Sequence, residues 1–343
     1  MAQTLRIATL NTDLERDGPG LLLRDILKGE DAQLLALRKV VAEVDPDILV
    51  LQGIDYDHGL ATLGALQAWL AEGGPSYPYV FARAPNTGVQ TGLDLDGDGR
   101  THTARDAQGY GEFFGQGGMA ILSRHPLNDD AAQDFTSLLW RDLPGARLPM
   151  VDGMPFPSEQ AQAVQHLPSV GHWVVPVLLN DTPVHLMVFH ATPPVFDGAE
   201  DRNGLRNHDE LVFWQRYLDG AFGPAPTGRF VLAGVGNVDP VDGEGIKRAI
   251  TGLLADPRLQ DPMPMRMGDA SEEAYGHSGD PRLDTVAWPL PDPGHLRVSY
   301  ILPSSDLTVT GAGVFWPDPA DPMAQVVEQA SRHRMVWVDL ALE

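Results

Sequence analysis

Val231-Leu-Ala-Gly-Val-Gly-Asn237, followed at once by Val238-Asp239-Pro240, is the stretch on which the reading of this 343-residue chain turns. A short apolar run ends in a polar side chain, as in a central strand covered on both faces that delivers a functional group at its carboxyl end. The same pattern recurs outward in both directions. Strands are predicted at Arg6–Asn11, Ile48–Gln52, Met119–Ser123, His172–Leu179, Val184–His190, Phe230–Ala233, Val298–Pro303 and Met335–Leu342. Helical patterns alternate with them. In Ala32–Val44, Leu34, Leu37, Val41 and Val44 share one face, Asp31 precedes as N-cap, and Pro46 lies just beyond. Further helices are predicted over Leu60–Leu70, Asn207–Leu218 and Gly245–Leu254. Long Gly/Pro/Asp-rich loops fill 83–117, 143–168 and 256–293, lengths that suit functional rims or ion-tied loops. No repeat and no linker divides the chain, so residues 1–343 are expected to form one domain.

The composition narrows the partners. Lys+Arg number 24 against 47 Asp+Glu, a formal charge of −23. Such a field disfavours tight non-specific binding to nucleic acid or to anionic membranes, although a local basic groove could survive it. With no cysteine there is neither a disulfide framework nor a thiolate metal site. No apolar run approaches a membrane span, and no charged segment followed by an apolar one marks a signal peptide at the start. A secreted or periplasmic mature form with an added Met is the expectation, a cytoplasmic protein the alternative, and a monomer the expected state.

Several segments, in order, resemble the signature blocks of the endonuclease/exonuclease/phosphatase superfamily. They are Arg6-Ile-Ala-Thr-Leu-Asn11, Asp47-Ile-Leu-Val-Leu-Gln-Gly53, Val188-Phe-His-Ala191, Val231–Asn237 with Asp239-Pro240, Arg297-Val-Ser-Tyr-Ile-Leu302 and Ser331-Arg-His-Arg334. Gly118-Met-Ala-Ile-Leu-Ser-Arg-His-Pro126 also resembles the strand before the family's middle loops. The resemblance implies a DNase-I-like α/β-sandwich of four layers, two facing mixed β-sheets flanked by helices. It also implies hydrolysis of phosphate mono- or diesters with Mg²⁺ or Mn²⁺. Attack of water on phosphorus builds negative charge that a carboxylate-held cation offsets, while histidine handles protons. Asn11, His190, Asn237 and His333 match the family's catalytic asparagines and histidines.

The family's carboxylates are replaced. Gly53 stands where the resemblance places a metal-binding Glu, Val235 and Ser299 where it places Asp, and Arg332 where it places the Asp before the last histidine. Val and Ser cannot bind Mg²⁺ as a carboxylate does, and Arg332 would pair with phosphate instead. Asp55 and Asp57 are the candidates to compensate as metal ligands, with solvated turn residues as the alternative. The expected activity is therefore an impaired metal-dependent phosphoesterase acting on small or lipid-type phosphate esters. The alternative is an inactive relative that binds a phospho-ligand or protein partner.

Two further constellations stand out. Asp94-Leu-Asp-Gly-Asp-Gly-Arg100 reads as the first half of an EF-hand-type loop, with Asp94, Asp96 and Asp98 as Ca²⁺ ligands. Arg105 falls at the closing position, so Asp106 is expected to complete the site; an acidic solvated turn is the alternative. After His190, Arg202, Asn203 and Arg206 form a polar cluster suited to clamping an anionic substrate, or to ordering the loop ahead of the next helix. No nucleotide-binding glycine motif, zinc-protease motif or serine-hydrolase elbow is present.

Overall fold

The computed structural model describes residues 3–179, 182–268, 270 and 276–342; part of the third long loop, residues 269 and 271–275, lies outside that description. The elements run β1 (Gln3–Asn11), α1 (Leu21–Lys28), α2 (Ala32–Val44), β2 (Ile48–Ile54), α3 (Ala61–Ala71), β3 (Tyr79–Phe81) and β4 (Gly118–Ser123). Next come β5 (Gln133–Asp134), β6 (Met150–Val151), β7 (Met154–Pro155), α4 (Glu159–Val164), β8 (His172–Leu179), β9 (Thr182–His190) and α5 (Arg202–Leu218). The chain closes with β10 (Phe230–Val235), α6 (Arg248–Leu254), β11 (Val286–Ala287), β12 (His295–Leu296), β13 (Ser299–Pro303), β14 (Val309–Phe315), α7 (Met323–Ala330) and β15 (Met335–Leu342).

Two mixed sheets result. One has the order β14-β15-β1-β2-β4-β3, with β1 and β2 parallel. The other has the order β13-β10-β9-β8-β5, with β9 and β10 parallel. Strand alternation builds the layers. Val175, Val177, Leu186, Val188, Val231 and Ala233 point inward to a core shared with the first sheet and with α1, α2, α3 and α7. Val174, Met187, Phe189, Phe230 and Leu232, on the opposite faces, pack beneath α5 and α6 with Trp214, Phe213 and Leu253. The order is helices, sheet, sheet, helices, the four-layer sandwich expected.

Local signals explain most of the boundaries. Asp31 caps α2 by accepting from the Leu34 N–H at 2.9 Å, as expected. Helix α5 begins at Arg202 rather than Asn207, so the polar cluster read as loop forms its first turns. Helix α6 starts at Arg248, three residues after the expected Gly245, because the Lys247 ammonium gathers the carbonyls of Asp242, Gly243 and Glu244 into a turn. Strands β3, β5, β6, β7, β11, β12 and β14 and helices α1, α4 and α7 were not foreseen.

Candidate active site

The parallel pairs aim their carboxyl ends at one place. Register sets Asn11 beside Gln52 at the end of β1 and β2, and His190 beside Val235 at the end of β9 and β10. Asn237 turns back from β10 in a left-handed conformation (φ 52°), a backbone that asparagine tolerates. Its Nδ2 donates to the Ala191 carbonyl at 2.8 Å. His333 enters from the segment before β15, tied down because the Ser331 hydroxyl donates to the Asn11 carbonyl at 2.7 Å and accepts from the His333 N–H at 3.0 Å. Asn11, His190, Asn237 and His333 thus line one cleft of about 560 Å³.

Both histidines are neutral at neutral pH. Burial pushes His190 down to about 4, with His333 opposing its charge further. Burial likewise pushes His333 down to about 4, against a partial pull upward from Asp13. The Asn11 amide nitrogen lies 3.3 Å from His333 Nε2, so Nε2 accepts and the ring proton resides on Nδ1. That Nδ1 is buried and has no hydrogen-bond partner among the described residues; the same holds for His190 Nδ1 and for the hydroxyl of Ser299. Ser299 is fully buried. A buried donor left without a partner costs about 1–3 kcal/mol, and Ser299 stands where the family resemblance places an Asp.

The acidic groups at the cleft are not those expected. Asp55 is buried and accepts from the Arg16 and Gly117 N–H groups, each at 3.1 Å, fastening two loops. Asp57 takes the Ala61 and Thr62 N–H groups at 2.8 and 2.7 Å and so caps α3. Neither lines the cleft with Asn11 and His333. Asp13 and Glu15 line it instead. After β1 the chain runs on beside the end of β2, with Thr12 N–H on the Gln52 carbonyl at 2.9 Å and Leu14 N–H on the Gly53 carbonyl at 2.8 Å. Thr12 and Leu14 are buried, which leaves Asn11, Asp13 and Glu15 on the alternate, cleft side. The Asn-Thr-Asp-Leu-Glu spacing carried that signal, and a reading confined to the signature blocks passed over it.

Arg332 sits at the rim as a bidentate partner of Asp13, Nη2 to Oδ1 at 3.0 Å and Nε to Oδ2 at 3.1 Å. Burial would raise the Asp13 carboxyl, but Arg332 and His333 together hold it below the usual range. Asp239, also in the cleft wall, is spent on loop structure: it accepts from Val241 and Asp242 with one oxygen and from the Arg297 N–H with the other.

The expected anion clamp is not built. The buried Arg206 guanidinium donates to the carbonyls of Leu167, Gln108, His166 and Pro168 at 2.6–3.1 Å. Arg202, also buried, donates to the Leu95 carbonyl. Asn203 donates from Nδ2 to the Val195 carbonyl at 2.7 Å. The three bind neighbouring loops to the start of α5, the loop-ordering role weighed against the clamp, and Arg202, Asn203 and Arg206 line a second groove rather than the histidine cleft.

The acidic loop is partly as expected. Carboxylate oxygens of Asp94, Asp96 and Asp106 lie within 4.8 Å of one another, while Asp98 falls outside that group. Asp98 accepts instead from the Arg100 N–H at 2.7 Å. Asp106 is brought in by a tight turn that Thr103 caps, and it accepts from the Leu95 N–H at 2.9 Å. Among the described residues, no helix is long and apolar enough to cross a membrane.

Comparison with known proteins agrees with this geometry. The model of the endonuclease/exonuclease/phosphatase family matches residues 8–333. Among solved structures, an endonuclease/exonuclease/phosphatase from Beutenbergia cavernae superposes with a TM-score of 0.56 at 18% identity, covering 99% of this chain and 72% of that one. A family protein from Leptotrichia buccalis gives 0.55 at 15% identity over 98% and 100% of the two chains. Sphingomyelinase C from Streptomyces griseocarneus gives 0.51 at 19% identity over 99% and 100%. These likenesses show a shared fold. No curated protein sequence matches the chain. The chain belongs to the endonuclease/exonuclease/phosphatase family, whose members are phosphoesterases that generally use divalent metals.

Proposed function

We propose that the chain is a metal-dependent phosphoesterase, slow in its present form, that acts on a small or lipid-type phosphate ester. The observation that carries the reading is the meeting of Asn11, His190, Asn237 and His333 in one cleft at the strand ends of both sheets. The donor set there fits a hard divalent ion, because the cleft wall offers the Asn11 amide oxygen and carboxylates of the segment after β1. Magnesium keeps several waters and needs only one or two carboxylates. When bound, such an ion offsets the charge that builds on the phosphoryl oxygens. The protein's own groups then have clear tasks. Asn11 and Asn237 are placed to orient the phosphate. His190 and His333, both neutral, are placed to accept a proton at the ester. Arg332 at the rim is available to an anionic ligand that competes for it with Asp13.

Substrate size follows from the wall. Phe196 (76% exposed), Tyr110 (66% exposed) and Trp288 surround the polar floor with apolar surface. Such a mouth suits an ester with an apolar moiety, and a net charge of −23 disfavours long nucleic acid. Turnover of bis-p-nitrophenyl phosphate and of sphingomyelin in Mg²⁺ or Mn²⁺, lost with His333→Gln, tests the reading; no turnover of any phosphate ester would remove it. One observation favours a second reading, a family member that binds a phospho-ligand without turning it over: the unpartnered His333 Nδ1 and Ser299 hydroxyl leave the proton acceptor unoriented. Phosphocholine binding without hydrolysis would decide for it. The Asp94, Asp96 and Asp106 cluster is assigned to a structural Ca²⁺ ion, whose charge would relieve the mutual repulsion of three close carboxylates.

A further inference from the structure

We propose that Asn207 and Glu210, on one buried face of α5, are positioning residues that aim His190 and Asn237 into the cleft. Their part in turnover rests on the phosphoesterase reading above, while the placement itself rests on geometry. The His190 ring makes no orienting hydrogen bond at Nδ1, which is buried and without a partner among the described residues. Its direction is therefore set chiefly by the backbone that carries it. Every backbone polar group from the His190 carbonyl to the Thr192 carbonyl has a partner, the full accounting that buried backbone demands. The His190 carbonyl accepts from the Ser169 hydroxyl at 3.3 Å. The Ala191 N–H donates to the Val235 carbonyl at 2.9 Å, and the Ala191 carbonyl accepts from Asn237 Nδ2 at 2.8 Å. The Thr192 N–H donates to Glu210 Oε2 at 2.6 Å, and the Thr192 carbonyl accepts from Asn207 Nδ2 at 2.7 Å.

The same two side chains reach the neighbouring walls. Asn207 Nδ2 also donates to the Gly236 carbonyl at 2.7 Å, one residue before Asn237. One amide thus pins together the chain leaving β9 and the chain leaving β10, just past their last ladder pair of His190 with Val235. Glu210 Oε1 accepts from both the N–H and the hydroxyl of Ser169, the latter at 2.8 Å. Cleft-lining segments at 169, 190–192 and 237 are therefore fastened to two residues three apart, on one helix face. Both residues are fully buried, and a buried carboxylate is costly unless charge-assisted hydrogen bonds satisfy it. Arg206, one turn earlier, offsets the charge of Glu210 through space, while its own N–H groups serve the carbonyls of Gln108, His166, Leu167 and Pro168. The adjacent residue provides a contrast. Asp209 is equally buried and accepts from the Trp140 indole N–H at 2.7 Å and the Arg147 N–H at 2.6 Å, neither of which lines the cleft. One carboxylate of α5 braces the cleft, the other the packing beneath the helix.

The test compares Glu210→Gln with Asp209→Ala in the full chain. Glu210→Gln keeps size but turns an amide N–H towards either Ser169 or Thr192. Asp209→Ala strips Trp140 and Arg147 of their acceptor, and so controls for lost stability alone. With bis-p-nitrophenyl phosphate in Mg²⁺, Glu210→Gln should lower kcat about ten- to a hundredfold and leave KM unchanged, since a misplacement of about 1 Å can cost about 10²-fold. Asp209→Ala should lower the melting temperature and, below that transition, keep the kcat of the unaltered chain. The His190 ring signals in the NMR spectrum, assigned by their loss in His190→Gln, should shift in Glu210→Gln and stay in place in Asp209→Ala. Asn207→Ala, which releases the chain after both strands, should shift them too, and it carries the test if Glu210→Gln does not fold. Unmoved ring signals, or an unchanged kcat where the unaltered chain is active, would overturn the proposal. A kcat loss shared by Asp209→Ala would overturn it as well, as the mark of a generally loosened fold. If the unaltered chain turns over no phosphate ester, the phosphoesterase reading falls, and the ring signals decide the placement by themselves.

Discussion

Placing a carboxylate at Ser299 should return His333 to the range in which it can exchange protons at neutral pH. In the structure His333 titrates at about 4, against an ordinary value of 6.5, chiefly because it is buried, with Arg332 and Arg334 adding to the effect and Asp13 opposing it. At about 1.4 kcal/mol per pH unit, that depression is a penalty of about 3 kcal/mol on the charged ring. The Ser299 hydroxyl and His333 Nδ1 are both buried and both without partners. The backbone brings them to the same strip of chain: Thr285 Oγ1 accepts from the Ser299 N–H at 3.0 Å, and Val286 bridges to His333. An opposite charge within reach typically raises a histidine by about 1–3 units, so Ser299→Asp should bring His333 to about 5–7. Turnover of bis-p-nitrophenyl phosphate at pH 7 in Mg²⁺ should rise by about ten- to a hundredfold, a modest share of what a positioned acid or base contributes. Titration of the histidine ring signals by NMR gives the first number and initial rates give the second. A His333 that stays near 4, in a variant with a lowered melting temperature, would show the new carboxyl buried and unpaired, and would refute the reasoning. A raised value without faster turnover would instead refute the proton-transfer role of His333.

The other expectations are independent of that one. Adding Val235→Asp to Ser299→Asp should change turnover non-additively, because groups that act as a unit fail as a unit; simple multiplication of the two single effects would contradict this. Chelation of Ca²⁺ should lower the melting temperature by about 4 °C if the ion is present at a hundredfold excess over Kd, since about 2.7 kcal/mol of linkage is divided by an unfolding entropy of about 0.7 kcal/mol/K for a chain of this length; equal melting curves would reject the Asp94 loop site. Stability should fall as pH drops from 6.5 towards 4. His172, His190 and His333 are pushed by burial to about 3, 4 and 4, so the unfolded chain binds protons first, at about 1.4 kcal/mol per pH unit for each ring. Glu210, which burial raises to about 7, works in the opposite direction and cancels about one of the three. Urea midpoints at pH 7.5, 6 and 5 that do not change would contradict the sign. Asp57→Ala should cost about 1 kcal/mol of stability through the lost α3 cap and leave metal-dependent turnover untouched; a large loss of turnover would return Asp57 to the site.

Much of the architecture was legible because it depends on short-range pattern. Apolar runs such as Ile48–Gln52 and Phe230–Ala233 are buried on both faces wherever they occur, and the 3.6-residue spacing of Leu34, Leu37, Val41 and Val44 makes α2 with its Asp31 cap. The ordered blocks likewise placed Asn11, His190, Asn237 and His333 at strand ends, and parallel registry then brings such ends together. What a polar side chain does with its hydrogen bonds is different, since its partner is chosen by distant segments. Arg206 has the composition of an anion clamp, yet folding gives its guanidinium four backbone carbonyls, the cheapest way to satisfy a charge at full burial. Asp55 and Asp57 lie close in sequence to the expected metal position, but the bulge at Gly53 turns the chain, and backbone N–H groups claim both carboxylates. Glu15, 38 positions before Gly53 in the sequence, reaches the cleft wall because the segment after β1 stays hydrogen-bonded along the end of β2. The amino-acid order by itself determined eight of the strands, the helices α2, α3, α5 and α6, and which histidines and asparagines stand near the strand ends. Tertiary contact decided which carboxylates face the cleft, because that depends on which buried donors each one must satisfy first.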